Sequence, residues 1–174
     1  VIVPADYFET RKAVLAAAKI KGPVYVRFGR EKTPVVTSES TPFEVGKAYV
    51  IKEGADVTIV ACGPMVAEAL DAAEELAKDG ISAEVVNLHT IKPLDEETIL
   101  TSIKKTGAIV TAEEHQMAGG MGSAIFEVLM KNNPVPGEQV GINDSFGESG
   151  APRELMEKYG ITSSMSHVST WMEE

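Results

Sequence analysis

Short apolar runs alternate with amphipathic segments through most of the chain. The apolar runs have the length and the β-branched composition of buried strands, at residues 56–61, 81–88, 108–112 and 140–142. The segments between them carry their apolar residues on one helical face, at residues 64–78, 95–105 and 122–131. This alternation is typical of parallel β-α-β units with helices on both faces of the sheet, so the sequence predicts an α/β fold.

A hairpin and two terminal helices complete the predicted domain. Residues 47–52 alternate loosely, and the turn Glu53-Gly54-Ala55 leads from them into the strand at residues 56–61. This arrangement predicts a β-hairpin whose first strand forms an antiparallel edge of the sheet. The terminal helices are predicted at residues 152–159 and 164–172.

The first 44 residues have a different pattern. Apolar runs predict buried strands at residues 1–6 and 23–28, with a helix at residues 7–20 that Asp6 and Glu9 begin as a capping box. One such unit cannot bury a core of its own, and residues 29–44 have the composition of a linker. We therefore expect residues 1–44 to end one α/β domain and residues 45–174 to form another. Because the chain begins inside an apolar run, we interpret it as a fragment or a processed product.

The charge and the cysteine count exclude several classes of function. The chain has 26 Asp and Glu against 16 Lys and Arg, a formal net charge of −10. Nucleic acids and anionic membrane surfaces attract basic proteins, so we expect neither as a partner. The single Cys and three His argue against a disulfide framework and a transition-metal site. A reducing, cytoplasmic compartment is expected.

Candidate catalytic residues follow three predicted strands, at the sheet edge where α/β proteins bind ligands. Cys62 precedes a helix whose N-terminus would lower its pKa, but no particular His pairs with it. Cys62 and His89 are therefore interpreted as buried structural residues. Glu113 and His115 lie on the same side of an extended segment, where they could act as an acid–base pair. The favoured alternative is that Glu113, Glu114 and His115 make structural ion pairs across a contact.

The glycine-rich motif Gly119-Gly120-Met121-Gly122 leads directly into a predicted helix. Backbone N–H groups at such a helix start could hold an anion. No Lys follows the motif as in phosphate-binding loops, and Glu113-Glu114 would repel a phosphate. The glycines are therefore explained better by a tight turn and close packing.

Three basic residues follow the predicted strand at residues 23–28 in an otherwise acidic chain: Arg27, Arg30 and Lys32. Guanidinium groups bind phosphate and carboxylate through paired hydrogen bonds. The alternative is a surface patch that pairs with acidic side chains, and the residues alone do not decide between the two.

Motifs over almost the whole chain resemble those of transketolase. Val3-Pro4-Ala5-Asp6 and the segment at residues 22–30 are similar to the end of its pyrimidine-binding domain. The motifs that are similar to its C-terminal domain are Gly46-Lys47, residues 56–63, Ile91-Lys92-Pro93-Leu94-Asp95, Glu113-Glu114-His115 with residues 119–123, and Phe146-Gly147-Glu148-Ser149-Gly150. The resemblance implies a three-layer α/β/α sandwich for residues 45–174, with a mostly parallel sheet and an antiparallel edge strand.

The resemblance also implies a thiamine-diphosphate enzyme that moves a two-carbon ketol unit between sugar phosphates. By position, Arg30 corresponds to the arginine of the family that binds the substrate phosphate, whereas Arg27 and Lys32 have no such counterpart. The ligands of thiamine diphosphate and Mg²⁺ in the family precede the position of Val1. We therefore expect this chain alone to bind neither cofactor and to have no activity without the remainder of the enzyme.

Alternative functions and several partners remain open. Deoxyxylulose-phosphate synthase and the β subunits of 2-oxo-acid dehydrogenases share the Glu-Glu and Gly-Gly-x-Gly motifs. A regulatory module that binds an anion or a nucleotide at residues 119–122, or a structural subunit interface, is the alternative of another class. The expected partners are the N-terminal section or domains of transketolase, a second copy in a homodimer, and sugar phosphates.

Overall fold

The computed structural model describes residues 1–162, and the predicted helix at residues 164–172 lies outside them. The strands are β1 (Tyr49–Lys52), β2 (Val57–Ala61), β3 (Ala83–Asn87), β4 (Ile109–Gln116) and β5 (Gly137–Ile142). The helices are α1 (Tyr7–Ala17), α2 (Met65–Lys78), α3 (Glu96–Thr106), α4 (Met121–Asn132) and α5 (Pro152–Lys158). The predicted helix at residues 152–159 therefore corresponds to α5.

One mixed sheet with the strand order β1-β3-β2-β4-β5 forms the centre of the molecule. β2, β3, β4 and β5 run parallel, and β1 is an antiparallel edge strand beside β3. β2 is buried along its whole length because it lies in the middle of the sheet with helices on both faces. This arrangement confirms the predicted α/β fold.

Two hydrophobic clusters on opposite faces of the sheet make the fold three-layered. Alternate residues of β2 point to opposite faces, so Ile59 packs in the cluster with α2 while Val60 packs in the cluster with α3 and α4. Leu76 of α2 and Ile103 of α3 show the same division between the two faces. The apolar sides of α2, α3 and α4, which their sequence periodicity predicts, are the sides that cover the sheet.

The predicted hairpin of β1 and β2 is wrong, although β1 is the predicted antiparallel edge. β1 pairs with β3, through Tyr49 with Asn87 and Val50 with Val86. The link between β1 and β2 crosses the start of β3, where the N–H groups of Ala55 and Asp56 both donate to the carbonyl of Ser82 at 2.9 Å. A Cβ on Gly54 would lie 2.1 Å from the amide nitrogen of Glu84, so the crossing requires glycine. β2 is thus left free to pair with the apolar strands β3 and β4.

The two strands predicted before residue 29 are reduced to single bridges. Ile2 pairs with Val26 on one side and with Thr90 on the other. Tyr25 and Phe28 are exposed, so the segment at residues 23–28 is not buried as predicted. A strand needs neighbours on both sides for burial, and within the described residues this segment has one.

The predicted capping box at the start of α1 is half formed. The Asp6 carboxylate accepts from the Glu9 N–H at 3.0 Å, as expected for an N-cap. The Glu9 carboxylate, however, accepts from the N–H of Ala5 at 2.7 Å and from the side chain of Asn87 at 2.7 Å. Glu9 therefore connects α1 to the end of β3 instead of closing the box.

β4 is longer than predicted, and α1 is shorter. Glu113 to Gln116, which lie beyond the strand predicted at residues 108–112, continue β4, because Gln116 still pairs with Ile142 of β5. Helix α1 ends at Ala17 instead of residue 20. None of the helices that the structure describes is long and apolar enough to cross a membrane.

Candidate functional site

A cavity of about 370 Å³ lies at the carboxyl edge of the sheet. β3 and β4 follow β2 in the chain but lie on opposite sides of it, so the ends of β2 and β4 form a topological switch point, where α/β proteins bind ligands. The cavity lies between the first 27 residues and this edge. Its lining includes Val1, Tyr25, Arg27, Cys62, Lys92, Glu113, His115 and Gly120.

The Glu113 carboxylate occupies the N-terminus of α4. It is 4% exposed and accepts from the N–H groups of Met121 at 2.7 Å and Gly122 at 2.8 Å. A Cβ on Gly120 would lie 2.4 Å from this carboxylate, so glycine is needed for the close approach. The partial positive charge of the helix start is therefore balanced within the chain. The close-packing interpretation of the glycine-rich motif is confirmed, and an external anion does not fit there.

Glu113 and His115 both line the cavity, as their spacing predicts, but they do not form an acid–base pair. The Glu113 carboxylate is held by two backbone amides, and Nδ1 of His115 lies 3.0 Å from the carbonyl oxygen of Gln116. Neither contact brings the two side chains together. Of the three residues expected to make ion pairs, Glu114 does so, with its carboxylate 3.7 Å from Arg27. Glu113 and His115 contact backbone groups instead, so their structural role differs from the predicted one.

Cys62 and His89 are buried, as the sequence analysis favours. Burial, and to a smaller extent the Glu113 carboxylate, raises the pKa of the Cys62 thiol to about 12, so the thiolate nucleophile is not available at neutral pH. Burial lowers the pKa of His89 to about 4, which keeps the ring neutral. The ring stacks on Phe43 at a centroid distance of 4.3 Å, and its Nδ1 lies 3.0 Å from the Thr90 hydroxyl. Both residues are structural.

The three basic residues of the N-terminal cluster diverge in the structure. Arg27 points back to β4, where its Nη2 donates to the Glu114 carbonyl at 2.8 Å. Arg30 points outward with a side chain that is 95% exposed, and its Nη2 lies 3.4 Å from the Glu31 carboxylate. Lys32 lines a second cavity of about 360 Å³ beside the start of α1. The structure thus separates Arg30, as the outward-facing cation, from Arg27, as a tie to the sheet.

Asp6 fixes the far end of the loop that contains Arg30, a role that the sequence analysis missed. Its carboxylate accepts from the N–H of Val36 at 2.8 Å and from the N–H and hydroxyl of Thr37 at 2.6 Å each. Although burial opposes ionisation, these hydrogen bonds and that from Glu9 leave the pKa of Asp6 below its ordinary value. A helix-capping Asp gives no signal in sequence of a second set of partners thirty residues away.

The Phe-Gly-Glu-Ser-Gly segment is attached to the domain by its backbone while its aromatic side chain is exposed. Gln116 donates to the carbonyl of Ser145 at 2.6 Å, and the Tyr159 hydroxyl donates to the carbonyl of Phe146 at 3.2 Å. Glu148 forms an ion pair with Lys158, which lowers the pKa of this carboxyl. The Phe146 side chain itself is fully exposed.

Comparison with known proteins identifies the family. Residues 46–165 match the family described as "Transketolase, C-terminal domain". The chain belongs to the transketolase family. It is 52% identical over 159 residues to the 6-deoxy-6-sulfo-D-fructose transketolase subunit SqwH of Clostridium sp. (strain MSTE9), which covers 91% of this chain and 49% of that protein. It is 44% identical over 164 residues to a putative transketolase C-terminal section of Methanocaldococcus jannaschii, covering 92% of this chain and 51% of that protein.

A solved structure agrees with this assignment. The chain superimposes with a TM-score of 0.90 and 52% identity on a protein titled "Split gene transketolase, inactive beta4 tetramer", over 94% of this chain and 54% of that one. The described fold is therefore that of a transketolase C-terminal region. The chain spans about half the length of the curated relatives named here.

The described residues offer neither a metal-binding group nor a vacant start of α4 to the thiamine diphosphate and Mg²⁺ that the family generally uses. Residues 1–162 hold no group of three or more His, Cys, Asp or Glu that could bind a metal ion. The helix start that could hold a diphosphate, at Met121 and Gly122, is occupied by the Glu113 carboxylate. A second negative group there would face a buried carboxylate.

Proposed function

We propose that this chain is the C-terminal part of a thiamine-diphosphate-dependent transketolase, and that Arg30 binds the phosphate group of its sugar substrates. The enzyme would move a two-carbon ketol unit from a ketose phosphate to an aldose phosphate. The observation that carries the role of Arg30 is its exposure of 95%, with the neighbouring Glu31 as its charged partner. A guanidinium in this state keeps most of its five donors available for a phosphate.

The exposed apolar side chains of the N-terminal region, to which Arg30 belongs, support the presence of further protein in the complete enzyme. Eight of the ten large apolar side chains that are exposed in the described part of the chain lie within residues 1–35. Tyr25 and Phe28 lie in the same segment as Arg30, and both are more than half exposed. Clustered exposed apolar residues mark interaction surfaces. We propose that the remainder of the transketolase covers this surface and supplies the cofactor site.

The carbon chemistry of such an enzyme belongs to the cofactor, and the described residues take part by binding and by support. Arg30 would hold the phosphate end of the sugar, at a distance from the reacting carbon. Glu113 and the two buried clusters would keep the C-terminal domain rigid. We propose that residues 1–44 complete the pyrimidine-binding domain and that residues 45–174 form the C-terminal domain, which the family match beginning at residue 46 supports.

Assembly with further subunits is part of the proposal. The solved relative is titled as a β4 tetramer of a split-gene transketolase, which supports a partner subunit and an oligomer for this chain. The homodimer expected from the family remains a prediction, as does a cytoplasmic location.

A second candidate is the condensation catalysed by deoxyxylulose-phosphate synthase. The chain is 41% identical over 166 residues to a protein of that name from Heliobacterium modesticaldum, covering 94% of this chain and 26% of that one. Both reactions use phosphorylated sugars, so a phosphate-binding Arg30 suits either. They differ in the donor, since the synthase takes pyruvate and releases CO₂. Release of CO₂ from pyruvate in the presence of glyceraldehyde 3-phosphate would favour the synthase.

The anionic group of the sugar substrate could be a sulfonate in place of a phosphate. One relative is named for a sugar that carries a sulfonate in place of phosphate. A guanidinium binds both groups, but phosphate has a higher charge at neutral pH, so its attraction to Arg30 is stronger. Parallel assays with fructose 6-phosphate and 6-deoxy-6-sulfofructose would show which of the two the complete enzyme prefers.

The test of the proposed function uses the complete enzyme with the substitution Arg30→Ala. Fructose 6-phosphate and the unphosphorylated donor erythrulose each give xylulose with glyceraldehyde as the acceptor. We expect the KM for fructose 6-phosphate to rise about 30-fold, the effect of losing charge-assisted hydrogen bonds, and the KM for erythrulose to stay unchanged. Equal effects on both donors, or none, would overturn the role of Arg30. Arg11→Ala is the control, since Arg11 is an exposed arginine of α1 that pairs with Glu39 at 2.9 Å.

A further inference from the structure

Arg27 connects the segment before Arg30 both to the start of the chain and to the sheet domain. Its main-chain N–H donates to the carbonyl of Ile2 at 2.8 Å. Its side chain donates to the Glu114 carbonyl at 2.8 Å, and the Glu114 carboxylate lies 3.7 Å from the same guanidinium nitrogen. Because Glu114 lies near the carboxyl end of β4, Arg27 is attached to the carboxyl edge of the sheet.

The loop that follows has no such support of its own. Within the described part of the chain, residues 28–35 form no backbone hydrogen bond. The next fixed points are the N–H groups of Val36 and Thr37, which both donate to Asp6. Arg30 therefore lies three residues from the Arg27 anchor and six from the other. Three residues span at most about 10 Å of chain, so the position of Arg27 limits how far from the sheet Arg30 can lie.

We propose that Arg27 is a positioning residue for Arg30: its bond to Glu114 sets where the phosphate-binding guanidinium lies relative to the sheet domain. This inference rests on the proposed function of Arg30. Binding of a phosphate by a guanidinium requires aligned donors, and small displacements of a binding group have large effects on rate and affinity. Arg27 itself is directed at Glu114 and makes no contact with the substrate in this proposal.

The test compares Arg27→Ala, Arg30→Ala and the double substitution in the complete enzyme, with fructose 6-phosphate and erythrulose as donors. For Arg27→Ala we expect a KM for fructose 6-phosphate that is about tenfold higher, with kcat within about twofold and both constants for erythrulose unchanged. Because Arg27 acts through Arg30, the double substitution should match Arg30→Ala alone. Multiplied effects in the double substitution would overturn the inference, as would an equal loss with both donors.

Two further variants keep the test decisive if Arg27→Ala does not fold. Arg27→Lys keeps a cationic donor for the Glu114 carbonyl but loses the planar fork, so we expect a rise in KM for fructose 6-phosphate of about threefold. Glu114→Ala keeps the carbonyl and removes only the carboxylate, so its effect should be smaller still. Arg11→Ala again serves as the control.

The results separate this inference from the proposed function. If Arg30→Ala leaves the KM for fructose 6-phosphate unchanged, the proposed function fails. If Arg30→Ala raises that KM while Arg27→Ala and Arg27→Lys both leave it unchanged, the proposed function stands and the positioning role is overturned.

Discussion

The first 44 residues and the sheet domain differ in how they bury their apolar side chains. The described part of the chain has 31 buried apolar residues, and four of these lie in the first 44 residues. Large exposed apolar residues have the opposite distribution, since only Met130 and Phe146 of the described ones lie beyond residue 35. The two regions have similar proportions of apolar residues. The difference in burial therefore lies in the number of neighbours that each strand has.

This difference separates the scaffold from the part that we propose contacts the substrate. In the sheet domain the Glu113 carboxylate occupies the start of α4, and Cys62 and His89 are buried and uncharged. These groups are therefore not available to bind or react with a substrate. The N-terminal region exposes Arg30 together with an apolar surface. A self-sufficient domain beside an incomplete one is the arrangement expected when an active site is completed by another part of the enzyme.

The largest expected effect comes from placing a charge on the apolar surface of the N-terminal region. Tyr25→Asp should change the free energy of unfolding of this chain alone very little, because Tyr25 is 61% exposed. In the complete enzyme the same aspartate would be buried without a partner, so we expect the free energy of unfolding to fall by about 5 kcal/mol. Urea unfolding of both proteins measures the two values.

Met130→Asp is the matched control for this substitution. Met130 is 70% exposed on α4, and we expect it to stay exposed to solvent in the complete enzyme. Its substitution should therefore have little effect in either context. If Tyr25→Asp were tolerated in the complete enzyme, the N-terminal region would not be covered there, and the comparison would fail.

The next largest effect concerns the sheet domain. Glu113→Ala removes an acceptor from two buried N–H groups at the start of α4, so we expect the free energy of unfolding to fall by about 4 kcal/mol. The vacated helix start should then bind an anion. Inorganic phosphate is predicted to raise the Tm of Glu113→Ala and not that of the wild type, at matched ionic strength. Equal responses of the two proteins would show that Glu113 does not occupy an anion site.

The pH dependence of stability tests the contact of Glu9 with Asn87, which connects the first 44 residues to the sheet domain. Burial raises the pKa of Glu9 from 4.5 to about 7, so between these values the folded chain holds a proton that the unfolded chain releases. The stability should be full below pH 4.5 and fall as the pH rises through 7, by about 3 kcal/mol. Glu9→Gln should remove this slope from urea unfolding measured between pH 4.5 and 8, whereas the exposed Glu39→Gln should keep it. An unchanged slope in Glu9→Gln would contradict the assignment.

The smallest expected effect concerns the charge beside Arg30. The Glu31 carboxylate lies 3.4 Å from the guanidinium, and it would compete with a substrate phosphate that Arg30 is proposed to bind. Because both side chains are exposed, the competition is weak. Glu31→Gln should lower the KM of the complete enzyme for fructose 6-phosphate by about twofold at low ionic strength. A higher KM would indicate that Glu31 supports Arg30 instead of competing with it.

Much of the sheet domain could be predicted from the sequence because its apolar periodicity reflects burial directly. β2, β3 and α2 lie where that periodicity places them. The pairing of β1 could not be predicted, because a short link is compatible with both a hairpin and a crossing over β3. What distinguishes the two is the contact of Gly54 with the backbone of Glu84, and such a contact between distant segments leaves no local pattern.

The candidate site was predicted less completely. The sequence identified the glycine-rich motif and Glu113 separately, but it did not show the hydrogen bonds between them. A strand-end carboxylate that caps a helix eight residues later makes a tertiary contact, which has no local sequence pattern. A glutamate shortly before Gly-Gly is the signal that could have suggested it. The N-terminal cluster was found as three similar cations, while their separate directions depend on Glu114 and on the surface of α1. The binding role of Arg30, which the family resemblance implies and its exposure supports, stays a prediction.

The most direct measurement compares ketol transfer by this chain alone with that of the complete enzyme. Both are supplied with thiamine diphosphate, Mg²⁺, fructose 6-phosphate and glyceraldehyde, and the xylulose formed is measured over many turnovers. We predict steady formation of xylulose by the complete enzyme and none above background by the chain alone, because the family resemblance places the ligands of the cofactor before Val1. Sustained turnover by the isolated chain would contradict the proposal that its active site is completed elsewhere.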